Sequence, residues 1–132
     1  SQLKRLDSMI KRRTENLHRF LKQINPAKFR TDFITKGSSN YAFNLILRKP
    51  DDEFVGRIMA KMSSSGIEFR RGSAGGGNQL RQPYLKGIVP NEYHKKFPEV
   101  EHIHFYGFYL GNYPDLKDEE IDEICSIINS TA

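Results

Sequence analysis

The sequence predicts an α+β fold, a small and mostly antiparallel sheet with helices packed on one face, and three observations predict it. Residues 2–25 carry apolar side chains at helical spacing. Two runs rich in aromatic and branched residues flank the turn-forming Gly37-Ser38-Ser39-Asn40. A second amphipathic segment closes the chain. The resulting order, α-β-β-α-β-β-α, favours helices laid over a small sheet. At 132 residues, 37% of them hydrophobic and 28% charged, the chain fits one domain over 1–132. A chain of that size buries roughly two thirds of its unfolded surface.

The first helix follows from Leu3, Leu6, Ile10, Leu17, Leu21 and Ile24, a narrow stripe set among Lys and Arg. It stops at Asn25-Pro26, because the residue before proline is pushed out of the helical region. Its start has no clear N-cap, as expected of a chain cut within or just before a helix. Residues 29–35 and 41–48 read as an antiparallel pair. Pro50-Asp51-Asp52-Glu53 opens a second helix by placing acids at its positive end, and Phe54, Val55, Ile58, Met59 and Met62 give it a buried face. Residues 67–70 read as a short third strand, 85–98 as loop with a helical turn, and 103–110 as the last strand. From Asp118 to about Ser130 the last helix turns Ile121, Ile124, Cys125 and Ile128 inward.

Composition excludes several classes of function. No apolar run approaches the ~20 residues that span a bilayer, and Ser1–Arg13 lack the apolar core of a secretory signal. Cys125 is the single cysteine and cannot form an internal disulfide, so a reducing, cytoplasmic setting is expected. The net charge of +5 is uneven: residues 1–30 carry nine Lys/Arg against Asp7 and Glu15, and the other 102 residues are net negative. These cations lie on several sides of one helix, the pattern of ordinary solvation, so neither nucleic acid nor a membrane span is expected.

The segment with the most chemistry runs from Arg70-Arg71 to Arg81-Gln82. It joins four glycines and Asn78 to three guanidiniums. Glycine lets the backbone approach a ligand, and arginine offers a planar fork matched to phosphate or carboxylate. An anion-binding loop is one reading and a flexible surface loop the other, since the glycines match no phosphate-loop spacing. Four glycines so close together predict a segment that stays loose until a ligand or partner orders it. His94, His102 and His104 have no Cys or carboxylate placed to complete a metal shell, and a polar strand edge is the expectation. Cys125 belongs to the core, as does half of the aromatic run Phe105, Tyr106, Phe108, Tyr109, Tyr113. A stand-alone anion- or phosphate-binding module remains open, as does an RNA-binding domain using that run.

Gly66-Ile67-Glu68-Phe69-Arg70-Arg71, then Gly75 through Tyr84 with its Gly-Gly-Asn and Gln-Pro-Tyr elements, then Tyr109-Leu110-Gly111-Asn112-Tyr113-Pro114-Asp115-Leu116 before an acidic helix start, resemble the C-terminal part of the DegT or StrS family of nucleotide-sugar aminotransferases. The likeness is nearest the branch holding the sugar 3-dehydratases of lipopolysaccharide synthesis. One departure is Lys117, where the family usually has Thr or Ser. The resemblance implies the small domain of a pyridoxal-phosphate (PLP) enzyme of the aspartate aminotransferase fold, in the parent a homodimer acting on a nucleotide-linked keto-sugar. It implies that the cofactor-binding groups, a lysine or in the dehydratases a histidine among them, lie in a large N-terminal domain missing here, so the chain itself holds no cofactor and no catalytic residue. It makes Arg70, Arg71 and Arg81 candidates for anionic parts of the substrate, with Asn78 and Gln82 available to sugar hydroxyls.

Overall fold

A computed structural model describes residues 2–72 and 77–132. The expected first helix is α1, Leu3–Gln23. It ends at Ile24, whose backbone turns extended ahead of Asn25-Pro26. The chain then reaches β1 (Ala42–Ile46), α2 (Asp52–Ser64), α3 (Pro98–Tyr106), β2 (Gly107–Gly111) and α4 (Asp118–Asn129). Three single 3-10 turns, Gln79–Arg81, Pro83–Leu85 and Tyr93–Lys96, lie between α2 and α3.

The fold is α+β and the sheet antiparallel, with β1 paired to β2 from Ala42 opposite Gly111 to Ile46 opposite Gly107. Alternation along both strands sends Phe43, Leu45, Phe108 and Leu110 to one face. There they meet Leu17, Phe20 and Ile24 of α1, Phe54, Val55, Ile58 and Met62 of α2, and Ile121, Cys125 and Ile128 of α4. Phe20 stacks on Phe43 with ring centroids 4.5 Å apart. Each such fully buried side chain contributes about 1.5–3 kcal/mol.

Local chemistry sets the helix ends. Asp51 caps α2 by accepting from Phe54 N–H at 2.8 Å. Gly66, at φ +71°, ends α2 in a left-handed turn in which Ile67 N–H reaches Met62 O and Gly66 N–H reaches Ser63 O. Lys117, having no hydroxyl, leaves α4 with the return half of a capping box, its N–H donating to Glu120 at 2.7 Å. The basic charge of α1 is partly matched across the helix pair. Arg12 meets Asp118 at 2.8 Å, and Arg19 forks onto Asp122 at 2.6 Å.

Three expected strands differ. Residues 29–35 make one bridge, Phe29 to Leu47, because only Lys28, Phe29 and Arg30 lie alongside β1's end; beyond them Ile34 is 92% exposed. Residues 67–70 likewise make one bridge, Arg70 to Tyr109, which sets Arg70 on the free edge of β2. The run 103–110 is split. Pro98 at the first helical turn, followed by Glu99 and Glu101, starts α3, and the extended backbone of Gly107 ends it. A Cβ at Gly107 would stand 2.5 Å from Ile103 O, so the direct passage from helix to strand requires glycine.

Candidate functional site

Helices α1, α2 and α4 cover one face of the sheet, and the other face lines a cleft. Ala42, Asn44 and Ile46 of β1 stand opposite Gly111, Tyr109 and Gly107 of β2 on that side. They floor a cleft of about 440 Å³ whose walls include Tyr41, Ile103, Arg70 and Arg71. Tyr41 and Tyr109 meet edge to face at 6.1 Å. The two chemistries offered here are aromatic faces and guanidinium forks.

Five residues were expected to touch substrate, and the structure distributes them. Arg70 is exposed at the cleft, its backbone fixed by paired hydrogen bonds with Tyr109 of 3.0 and 2.9 Å. Arg71 also lines the cleft, but its guanidinium donates to Phe105 O at 2.5 Å and lies 5.2 Å over the Phe108 ring. Arg81 is turned away from the cleft onto Glu101, with Nε 2.8 Å from one carboxylate oxygen and a terminal nitrogen 2.5 Å from the other. Asn78 is 2% exposed, and its side chain is engaged within the chain: Oδ1 accepts from Leu80 N–H and Nδ2 donates to Glu101 at 2.7 Å. Gln82 sits between two 3-10 turns beside a separate shallow pocket that includes His94. Ser73, Ala74, Gly75 and Gly76, on which the expected looseness of the glycine segment chiefly bears, lie outside the described residues.

Two residues of this region were not expected to take part in it. Glu101 accepts from both Arg81 and Asn78, and the Arg81 guanidinium, ahead of the Asn78 amide, holds its carboxyl down at about 2. His104 accepts the Asn78 N–H through Nδ1 at 2.9 Å. Burial first, then the nearby Arg81 charge, lower its pKa below the ordinary histidine value, favouring the neutral ring. Placed on a strand, His102 and His104 would share a face; on α3 they diverge, and His102 Nε2 contacts Leu47 O at 2.6 Å. The signal available in the sequence was Glu101 and His104 at i, i+3 behind a proline-acid helix start. Among the described residues no group of three His, Cys, Asp or Glu could hold a metal, and no helix is long and apolar enough to cross a membrane.

The cleft lining contains neither lysine nor carboxylate. It therefore does not by itself fit PLP, which needs an amine for its aldehyde and an acid beside its pyridine nitrogen. What this face provides is one wall with positive charge at its rim.

Solved structures share this architecture. A GDP-4-keto-6-deoxymannose-3-dehydratase with a trapped PLP-glutamate geminal diamine superposes with a TM-score of 0.80 at 25% identity, covering 96% of this chain and 33% of that one. Spr1654 of Streptococcus pneumoniae, provisionally named a sugar aminotransferase and solved in its PMP form, gives 0.77 at 17% identity, covering 98% and 32%. The 3-amino-5-hydroxybenzoic acid synthase gives 0.75 at 16%, covering 99% and 36%. The chain thus spans about a third of the length of these proteins. No curated protein matches it in sequence. The family described as DegT/DnrJ/EryC1/StrS aminotransferases matches over residues 1–129, nearly the whole chain and all of the elements above, and the chain belongs to that family.

Proposed function

We propose that residues 1–132 are the C-terminal small domain of a cytoplasmic, homodimeric, PLP-dependent nucleotide-sugar aminotransferase. It acts on a keto-sugar destined for lipopolysaccharide or another surface polysaccharide. The observation that carries this reading is the open sheet face with Arg70 and Arg71 at its cleft, in a chain of this family that spans a third of its solved relatives. A large N-terminal domain supplies the cofactor and its lysine, and this domain supplies the facing wall. Arg70 takes an anionic part of the nucleotide-sugar directly. Arg71 borders the same space, while Asn78, Arg81 and Gln82 shape the segment behind it.

A second reading has specific support. The dehydratase is the relative at 25% identity, against 17% for Spr1654, so a PLP-dependent sugar 3-dehydratase parent is the alternative. One experiment on the intact enzyme tests both. Incubated with PLP, an amino donor and a nucleotide-linked keto-sugar, an aminotransferase yields an amino-sugar with the carbon skeleton's hydroxyls retained, and a dehydratase yields a 3-deoxy sugar. Arg70→Ala is expected to lower kcat/KM for the sugar half-reaction by about 1.5–3 kcal/mol and to spare the amino-donor half. Conversion of no nucleotide-sugar, or an Arg70→Ala enzyme with unchanged sugar kinetics, would overturn the assignment.

A further inference from the structure

We propose that the last turn and a half of α3 is a clamp in which Glu101 and His104 are positioning residues, fixing the two described ends of the glycine-rich segment, residues 71–72 and 77–81, so that Arg70 faces the cleft in one arrangement. This rests on the reading of Arg70 as substrate-facing.

The described ends of the segment converge on one ring. An ideal Cβ at Gly77 would stand 2.3 Å from His104 Nδ1 and 2.5 Å from Gly72 O, and one at Gly72 would stand 3.8 Å from the same imidazole. Gly72 itself has φ +55°. Gly77 thus needs glycine to lie on His104, and Gly72 needs it for its left-handed backbone. The hydrogen bond from Asn78 N–H to Nδ1 then holds the Gly77-Asn78 end against the helix. One turn earlier on α3, Glu101 binds the residues after Gly77, taking Asn78 Nδ2 and the Arg81 fork on one carboxylate, while Arg81 lies 4.8 Å over the Phe105 ring. The Phe105 carbonyl holds Arg71. Helix α3 thus grips the segment at both of its described ends, and the Arg70 backbone is pinned to β2, which continues directly from α3.

The clamp needs His104 neutral, because a protonated Nδ1 would present a hydrogen to the Asn78 N–H. The charged and titratable groups around the ring are Arg81 of the first 3-10 turn, Arg71 beside Gly72, His94 of the third 3-10 turn, and Glu101 on α3 itself. The cations and His94 disfavour a proton on the ring and Glu101 favours one, with burial the largest influence and against it. The bond is therefore complete above the ordinary histidine range and is lost as pH falls through the lowered value.

The test compares His104→Phe, which keeps a ring and removes the acceptor, with His104→Asn, whose Oδ1 takes a position close to Nδ1. Two measurements are made on the intact enzyme. Amide exchange of the 70–82 peptide is expected to quicken about tenfold in His104→Phe and to recover in His104→Asn. KM for the nucleotide-sugar is expected to rise about tenfold in His104→Phe, with the amino-donor KM within about twofold, and to be rescued by His104→Asn. In the wild type the sugar KM rises as pH drops below the histidine range, and His104→Asn flattens that limb. Unchanged exchange in His104→Phe overturns the clamp, as does an equal loss in both half-reactions, which marks a purely structural role. A wild-type enzyme that converts no nucleotide-sugar overturns the proposed function, and the clamp is then decided by the exchange result.

Discussion

Glu101 and Cys125 are the two titratable side chains whose surroundings change their chemistry most usefully, and in opposite ways. The Glu101 side chain is 17% exposed and bonded to Arg81 and Asn78, so ionisation is favoured and its carboxyl is held at about 2. A carboxylate whose folded pKa lies below its unfolded one stabilises fully above the unfolded value and loses that contribution as pH falls towards the folded one. Glu101→Gln is expected to cost about 2 kcal/mol at pH 7, and the difference from wild type should shrink between about pH 4.5 and pH 2 in urea titrations. A constant difference across that window would show that the charge is not what stabilises. Cys125 lies among Phe20, Ile121 and Ile128, and burial pushes its thiol up to about 12. Native protein at pH 8 is expected to resist iodoacetamide and to label fully in denaturant, because the thiolate is the nucleophile.

Among the elements, α1 is joined to the end of β2 by a pair of buried amides. Asn16 Nδ2 donates to Asn112 Oδ1 at 3.1 Å and to Tyr113 O at 3.2 Å, while Asn112 Nδ2 donates to Arg13 O and Asn40 O. Asn112→Ala would strip one of two partners from the fully buried Asn16 amide and the side-chain donor from Arg13 O and Asn40 O, so a loss of about 1–3 kcal/mol is expected, seen as a lower urea midpoint with an unchanged slope. The same pair marks where pattern reading ends. Helices α1, α2 and α4 were legible because a core stripe, an acidic first turn or a following proline each leave a local trace. Asn16 and Asn112 are 96 positions apart, and nothing local says that one will pair with the other. The aromatic run 103–110 failed for a related reason. His104, Phe105 and Tyr106 have the composition of a strand, yet Pro98 and two glutamates had already begun a helix that reaches them. Of the candidate site, the arginines and glycines were legible as types, whereas the partner of Arg81 depended on α3 being helical.

At the scale of the whole molecule, the arrangement is that of a wall. Three helices bury one face of a two-stranded sheet, and the opposite face carries Gly107, Gly111 and Ala42 beside an exposed Tyr41. A two-stranded sheet gains its stability from what packs on it, and here the helical side supplies that packing. The open side is left to shape a cleft. A wall of this composition offers the Arg70 guanidinium, and its lining carries neither the amine nor the acid that an aldehyde cofactor takes. The 132-residue chain incubated with PLP is therefore expected to show no stoichiometric imine absorbance that survives dialysis, and no transamination between an amino donor and a keto-sugar. The intact enzyme under the same conditions is expected to retain one cofactor per chain. Stoichiometric, dialysis-resistant PLP on the 132-residue chain would place a cofactor amine inside this domain and reverse the division of labour argued for its two faces.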